Sequence, residues 1–211
     1  MDVHPVSGSI HTWRDFFIHL TIISVGLLIA LGLEGIVGWT HDMRLVHRAE
    51  ANLKSELHEN RTTLASNSKM LDSAERQAET DLAVLSGYKS THHSSGDLKF
   101  YWEWNSLASA AWDAARVTGA VALMDYGRAQ KYSEIYAQQS LVNLQASSYI
   151  RDVYRSAAPL EGGRRLSDLQ PAELDAMISS VQQTMADLNF LRDLSDGLSR
   201  NFERENGSKS P

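Results

Sequence analysis

Three features of the sequence predict an all-α protein. An apolar run of membrane-span length lies near the N-terminus, a seven-residue repeat of leucines follows it, and the later segments place their apolar residues at helical spacing. The expected architecture is one N-terminal transmembrane helix continuing into a long amphipathic helix. A small antiparallel helical bundle follows, with at most one short extended segment. The organisation reads as a short tail over 1–15, a membrane helix over 16–39, a heptad-patterned helix over 40–88, a loop with an extended aromatic segment over 89–105, a bundle over 106–205 and a disordered tail over 206–211.

The membrane element comes first. From Phe16 to Leu33 there are eighteen residues without Asp, Glu, Lys or Arg. Extended to Trp39 the run makes twenty-four residues, about 36 Å of helix against a hydrocarbon layer of about 30 Å. Trp13, Phe16 and Phe17 at one end and Trp39 at the other suit the headgroup level. A signal peptide would carry a basic start and a small-residue cleavage site, whereas here Arg14 is the sole basic residue of the start and no A-x-A follows. His19, Ile23, Gly26, Ala30 and Glu34 step by three or four residues and so share one stripe. Small residues there admit close helix approach, and polar side chains in lipid are best tolerated against another helix, so the stripe is a candidate association face. Its plainer reading is that His19 and Glu34 simply reach the two interfaces. Arg44, Arg48 and Lys54 behind the span argue for a cytoplasmic C-terminal part by the positive-inside bias. The short N-terminal tail argues for export, and the expectation adopted is a single-pass protein of the bacterial inner membrane with a periplasmic C-terminal domain.

The next element is a long helix. Leu57, Leu64, Leu71, Ala78 and Leu85 form one row at seven-residue spacing, and Val46, Leu53, Asn60, Asn67, Ala74 and Asp81 form a second. Together they describe a heptad seam. The polar members of the second row are costly in a dry seam, so a bundle with a narrow core is as consistent as a true coiled coil. "YKSTHHSSGD", Tyr88 to Asp97, reads as a loop. In "LKFYWEW", Leu98, Phe100, Trp102 and Trp104 alternate with Lys99, Tyr101 and Glu103, which predicts a short extended segment with its aromatics turned inward against helices.

A helix capped by Asn105 or Ser106 is expected through Arg116, with a bend at Thr118 and Gly119. Asp125 should cap a helix running to about Ala157. "APLEGGRR" is a turn, and Pro171 should open a last helix with the stripe Leu174, Met177, Val181, Met185, Leu188, Leu191, Leu198 and Phe202. Trp102, Trp104, Trp112 and Tyr126 are expected to fill one end of the bundle, or to line an aromatic pocket for a small molecule.

Chemistry is sparse. The formal net charge is −6 over 211 residues with no cysteine, so disulfides and thiolate sites are excluded and nothing in the average charge gathers nucleic acid. No His-Glu-x-x-His, no Glu-x-x-His pairs for a di-iron bundle, no phosphate-cradling loop and no nucleophile elbow occurs. Neither catalytic residues nor a metal or cofactor site is therefore assigned, and the protein is not expected to be an enzyme. "WRDFFIHLTIISVGLLIALGLEGIVGWTHDMRLVHRA", Trp13 to Ala49, and "AAWDAARVTGAVALMDY", Ala110 to Tyr126, resemble an uncharacterised family of bacterial single-pass inner-membrane proteins with an N-terminal membrane helix and a C-terminal helical domain. The likeness covers roughly a quarter of the chain, and it implies the architecture without supplying an activity. The functional expectation is a membrane-anchored interaction or scaffold protein that self-associates, with the lipid bilayer and either further copies or a protein as partners. The alternative is a membrane-tethered sensory or ligand-binding helical domain.

Overall fold

Helix begins at Trp13 and does not stop until Thr91, because no proline and no run of turn formers interrupts the chain before Thr91. The computed structural model describes residues 13–94 and 96–207, and no strand occurs among them. Five α-helices follow in order: α1 Trp13–Thr91, α2 Ala110–Val117, α3 Ala120–Leu123, α4 Tyr126–Ala157 and α5 Pro171–Gly207. Two 3-10 turns, Ala158–Gly163 and Leu166–Asp168, join α4 to α5. The chain divides into two units, Met1–Arg48 and Ala49–Pro211. The expected N-terminal tail lies outside the described residues as far as residue 12, as do residues 208–211 of the expected disordered tail.

In the first unit the apolar part of α1 reaches a mean hydropathy of 2.4 with none of it buried in the protein. One helix near the N-terminus thus has the length and composition of a single membrane span.

In the second unit both heptad rows face inward. Leu53, Leu57, Leu64, Leu71, Ala74, Ala78 and Leu85 are buried, and so are Asn60, Asn67 and Asp81. The α5 stripe docks as expected, with Leu174, Met177 and Val181 packed around Leu85. Residues 98 and 100 close that end, where Leu98 and Phe100 lie against the same cluster.

Helix directions follow from the cross-contacts. Lys89 meets Asp175 at 2.6 Å, and Arg192 meets Asp72 at 2.8 Å, so α5 runs antiparallel to α1. Glu50 meets Arg128 at 2.7 Å and Asn60 meets Gln139 at 3.0 Å, so α4 runs parallel to α1. The antiparallel order expected within the bundle holds for α4 with α5, while α1, which precedes the bundle, runs parallel to α4. The reason is residues 99–108, which return the chain along α1 before α4 begins.

Local signals were followed where nothing competed with them. Gly119 turns the chain with φ +78°, Asp125 accepts the Arg128 amide at 3.1 Å, and Pro171 opens α5. Two boundaries differ from expectation. α1 continues to Thr91 into the expected loop, and α2 starts at Ala110 after Ser109, although Asn105 and Ser106 have good capping chemistry. Asn105 and Ala108 are kept out of the helix because their main chains are already bonded to Asn67 and Asn60 of α1.

Candidate functional site

The sequence offers two sets of site residues, and the structure treats them differently. The stripe His19, Ile23, Gly26, Ala30 and Glu34 lies on uninterrupted helix, with all five residues exposed. A methyl group added at Gly26 would meet nothing within 4 Å. His19 turns back along its own helix, its Nδ1 lying 2.7 Å from the Asp15 carbonyl. The face is thus free to receive a neighbour, and Glu34 stands on it.

The aromatic set is not brought together. Trp102 is 50% exposed and pairs with Tyr154 at 5.5 Å. Trp112 stacks on Tyr136 at 5.4 Å with ring planes 9° apart. Tyr126 is 81% exposed. Trp104 is half-buried, and its indole N–H finds no acceptor among the described residues. The ring contacts seen at Trp102 and Trp112 are with Tyr154 and Tyr136, not with one another. The inward alternation expected of residues 98–104 holds in part: Leu98, Phe100 and Trp104 are half-buried while Lys99 and Glu103 are exposed, but Trp102 faces water.

What the sequence does not reveal is a ladder between α1 side chains and the main chain of the returning segment. Asp81 Oδ1 accepts the Lys99 amide at 3.0 Å and its Oδ2 accepts the Phe100 amide at 3.0 Å. Asn67 bonds both main-chain groups of one residue, accepting the Asn105 amide at 3.1 Å and donating to the Asn105 carbonyl at 2.8 Å. Asn60 does the same to Ala108, at 2.8 Å in each direction. Glu56 Oε2 accepts the Ala111 amide at 2.9 Å, supplying a carboxylate to the N-terminus of α2, whose own Ser109 makes no side-chain cap. Opposite α1, Asn143 on α4 brackets Leu107 at 3.0 and 2.8 Å. The Tyr149 hydroxyl donates to the Tyr101 carbonyl at 2.6 Å.

The register has a simple origin. Seven helical residues rise about 10.5 Å, and three extended residues cover about 10 Å. Asn60, Asn67 and Asp81 are spaced at seven and fourteen, and the residues they hold, Ala108, Asn105 and Lys99, are spaced at three and six. The main chain of the segment therefore meets α1 side chains at a spacing of three residues. Ala74 occupies the remaining heptad position and has no side chain to bond the segment, and the Tyr149 hydroxyl takes up the Tyr101 carbonyl instead. Asn and Asp residues at heptad positions were the available signal, and knowing that a segment would lie over them required the fold.

A second polar strip joins α4 to α5. Ser156 Oγ donates to the Asp152 carbonyl at 2.9 Å and lies 2.9 Å from Ser180 Oγ, while Gln145 reaches Asp187 at 3.2 Å. Burial, and then a hydrogen bond with Asp187, hold the Asp152 carboxyl above the usual carboxylate range, with Arg155 opposing at 2.6 Å. Burial likewise pushes the Tyr149 phenol above its ordinary range. A cavity of about 20 Å³ lies beside this strip, between Ala74, Asp81, Tyr149 and Thr184. That is room for about one water molecule. Among the described residues no three His, Asp or Glu side chains are grouped to share a metal ion.

No family model, no curated protein and no solved structure matches this chain.

Proposed function

We propose that the protein is a membrane-anchored helical interaction protein that associates with further copies of itself through its span, in a bacterial inner membrane with the helical unit on the periplasmic side. The observation that carries this reading is the N-terminal part of α1, apolar over a full span length and without any burial inside the protein. A face of small residues with a polar member at either end suits a second helix in lipid.

The second unit supports a binding role over catalysis or small-molecule sensing. The cavity beside the ladder leaves about 20 Å³, room for about one water, and a larger cleft of about 270 Å³ lies at Lys131, Ile135, Asn201 and Arg204, just under the range of drug-sized pockets. The four aromatics that would line a sensory pocket are dispersed. The rings at Trp102 and Tyr154 face outward as protein-contact residues do.

The test is chemical crosslinking and sizing of the full chain in mild detergent, with Gly26→Leu, Ala30→Leu beside wild type. The expected result is an oligomer that the double variant weakens at least tenfold. Unchanged assembly in the variant removes the association face. A full-length chain that stays in the supernatant after ultracentrifugation of lysed cells removes the anchor.

A further inference from the structure

Where α4 meets α5, two carboxyl groups face each other away from water. Ser156 Oγ lies 2.9 Å from Ser180 Oγ and 3.3 Å from Thr184 Oγ1, and Gln145 reaches Asp187 at 3.2 Å. Asp152 stands one helical turn before Ser156, so this antiparallel register sets it against residues 184–187. Asp152 is 7% exposed and hydrogen-bonds with Asp187. Gln145 occupies Asp187 Oδ1, while the buried Oδ2 receives no hydrogen bond from an N–H or hydroxyl of the described residues. We propose that Asp152 and Asp187 share one proton, and that this proton is a pH-sensitive clasp between α4 and α5, closed in acid and loosened as the pair ionises.

The proton is required by the chemistry of the two groups. An ionised carboxylate only accepts hydrogen bonds, so two of them cannot bond unless one carries a proton. With it the two helices gain a charge-assisted bond. Without it two like charges meet out of water, and each disfavours the ionised form of the other. The groups around the pair do not replace the proton. On α4, Arg155 meets Asp152 Oδ1 at 2.6 Å and Arg151 adds a weaker attraction, but the Arg155 guanidinium is 62% exposed and water screens it. From α5 come only Asp187 and the hydroxyls of Ser180 and Thr184. From α1, Asp81 borders the neighbouring cavity as a third carboxylate, and its oxygens are taken by the Lys99 and Phe100 amides and by Gln77. The Tyr149 hydroxyl is committed to the Tyr101 carbonyl. The folded state therefore holds the proton more tightly than the unfolded chain does. The clasp is complete below the ordinary carboxylate pKa near about 4 and opens as pH rises through the raised value.

Infrared titration of the full chain in detergent, with the aspartate carboxyls labelled with carbon-13, reads the protonated carboxyl band directly. Wild type should keep one aspartyl proton after the other aspartates have ionised, and Asp152→Asn should delete that late step. Asp187→Asn should lower it by at least about one pH unit, because the new amide donates to the ionised Asp152 while its oxygen still accepts from Gln145. Burial alone holds the proton equally late in either background, so an unchanged late step in Asp187→Asn overturns the shared proton. A wild-type chain with no late step does the same. Amide hydrogen exchange over residues 149–156 and 180–190, corrected for the intrinsic effect of pH, reads the clasp. Opening should rise about tenfold for each pH unit by which ionisation of the pair is delayed, across the same interval, and should stay flat in Asp152→Asn. Wild-type protection that does not follow the ionisation overturns the clasp, and that measurement needs no variant.

Discussion

The two halves of α1 invert the usual relation between polarity and burial. From Phe16 to Trp39 the helix is apolar and wholly exposed. From Leu53 to Leu85 it carries Asn60, Asn67 and Asp81 at 2%, 0% and 1% exposure, as deeply buried as the leucines beside them. The difference lies in what each half meets. The first half is not buried against the protein, and a helix satisfies its own backbone internally, as a membrane span must. The second half meets an extended main chain whose amides and carbonyls need partners, and apolar side chains cannot supply them. Polar side chains in the seam are therefore the half of a hydrogen-bond pattern whose other half lies 18 to 48 residues later in sequence.

Substitutions at the seam test that contrast most severely. In a simple coiled-coil seam Asn67→Leu would stabilise, because an apolar residue replaces a buried amide. Here it should destabilise by about 3 kcal/mol, since two main-chain groups of Asn105 lose their partner at roughly 1–3 kcal/mol each. Denaturant unfolding of the full chain in detergent measures the sign directly. A stabilised variant would mean that the returning segment is not held by this ladder.

A pH experiment probes the α4–α5 strip, where polarity is buried without the same compensation. The raised Asp152 carboxyl means that the folded state holds its proton more tightly than the unfolded chain. That contribution to stability is complete below the ordinary carboxylate pKa near about 4, and it is lost as pH rises through the raised value. Asp152→Asn should therefore melt higher than wild type at neutral pH, and its advantage should shrink to nothing on acidification. Loss of the Arg155 partner subtracts little, because that guanidinium is largely exposed.

In the exposed half the contrast predicts independence. Gly26→Leu fills open space, so unfolding of the helical unit should move by less than about 0.5 kcal/mol even as association in detergent changes. A similarly small effect is expected at Ser195, buried on α5 with its hydroxyl unpaired among the described residues. Ser195→Ala should be neutral or stabilising by up to about 1 kcal/mol, read as a small rise in the unfolding midpoint.

Local and periodic features are legible in the amino-acid sequence alone. Asp125 as a cap, Gly119 at the bend, Pro171 at the head of α5 and the leucine row each depend on a residue's own backbone preference or on the helical repeat, both of which are short-range properties. The span is legible for the same reason, since its signal is an uninterrupted composition. Asn105 and Ser106 mislead as caps because Asn67 and Asn60 hold that stretch extended, and a tertiary bond outweighs a propensity of a few tenths of a kcal/mol.

Sequence therefore decided which stretches are helical, where they turn and which of their faces are apolar, because those depend on near neighbours along the chain. Tertiary structure alone decided that α1 and α4 run parallel, that the four aromatics part company, and that Glu56, Asn60, Asn67 and Asp81 serve the main chain of residues 99–111. These outcomes turn on a coincidence of pitch between seven helical and three extended residues, on segments that meet only once the chain has doubled back. No short window of sequence contains both partners of such a bond.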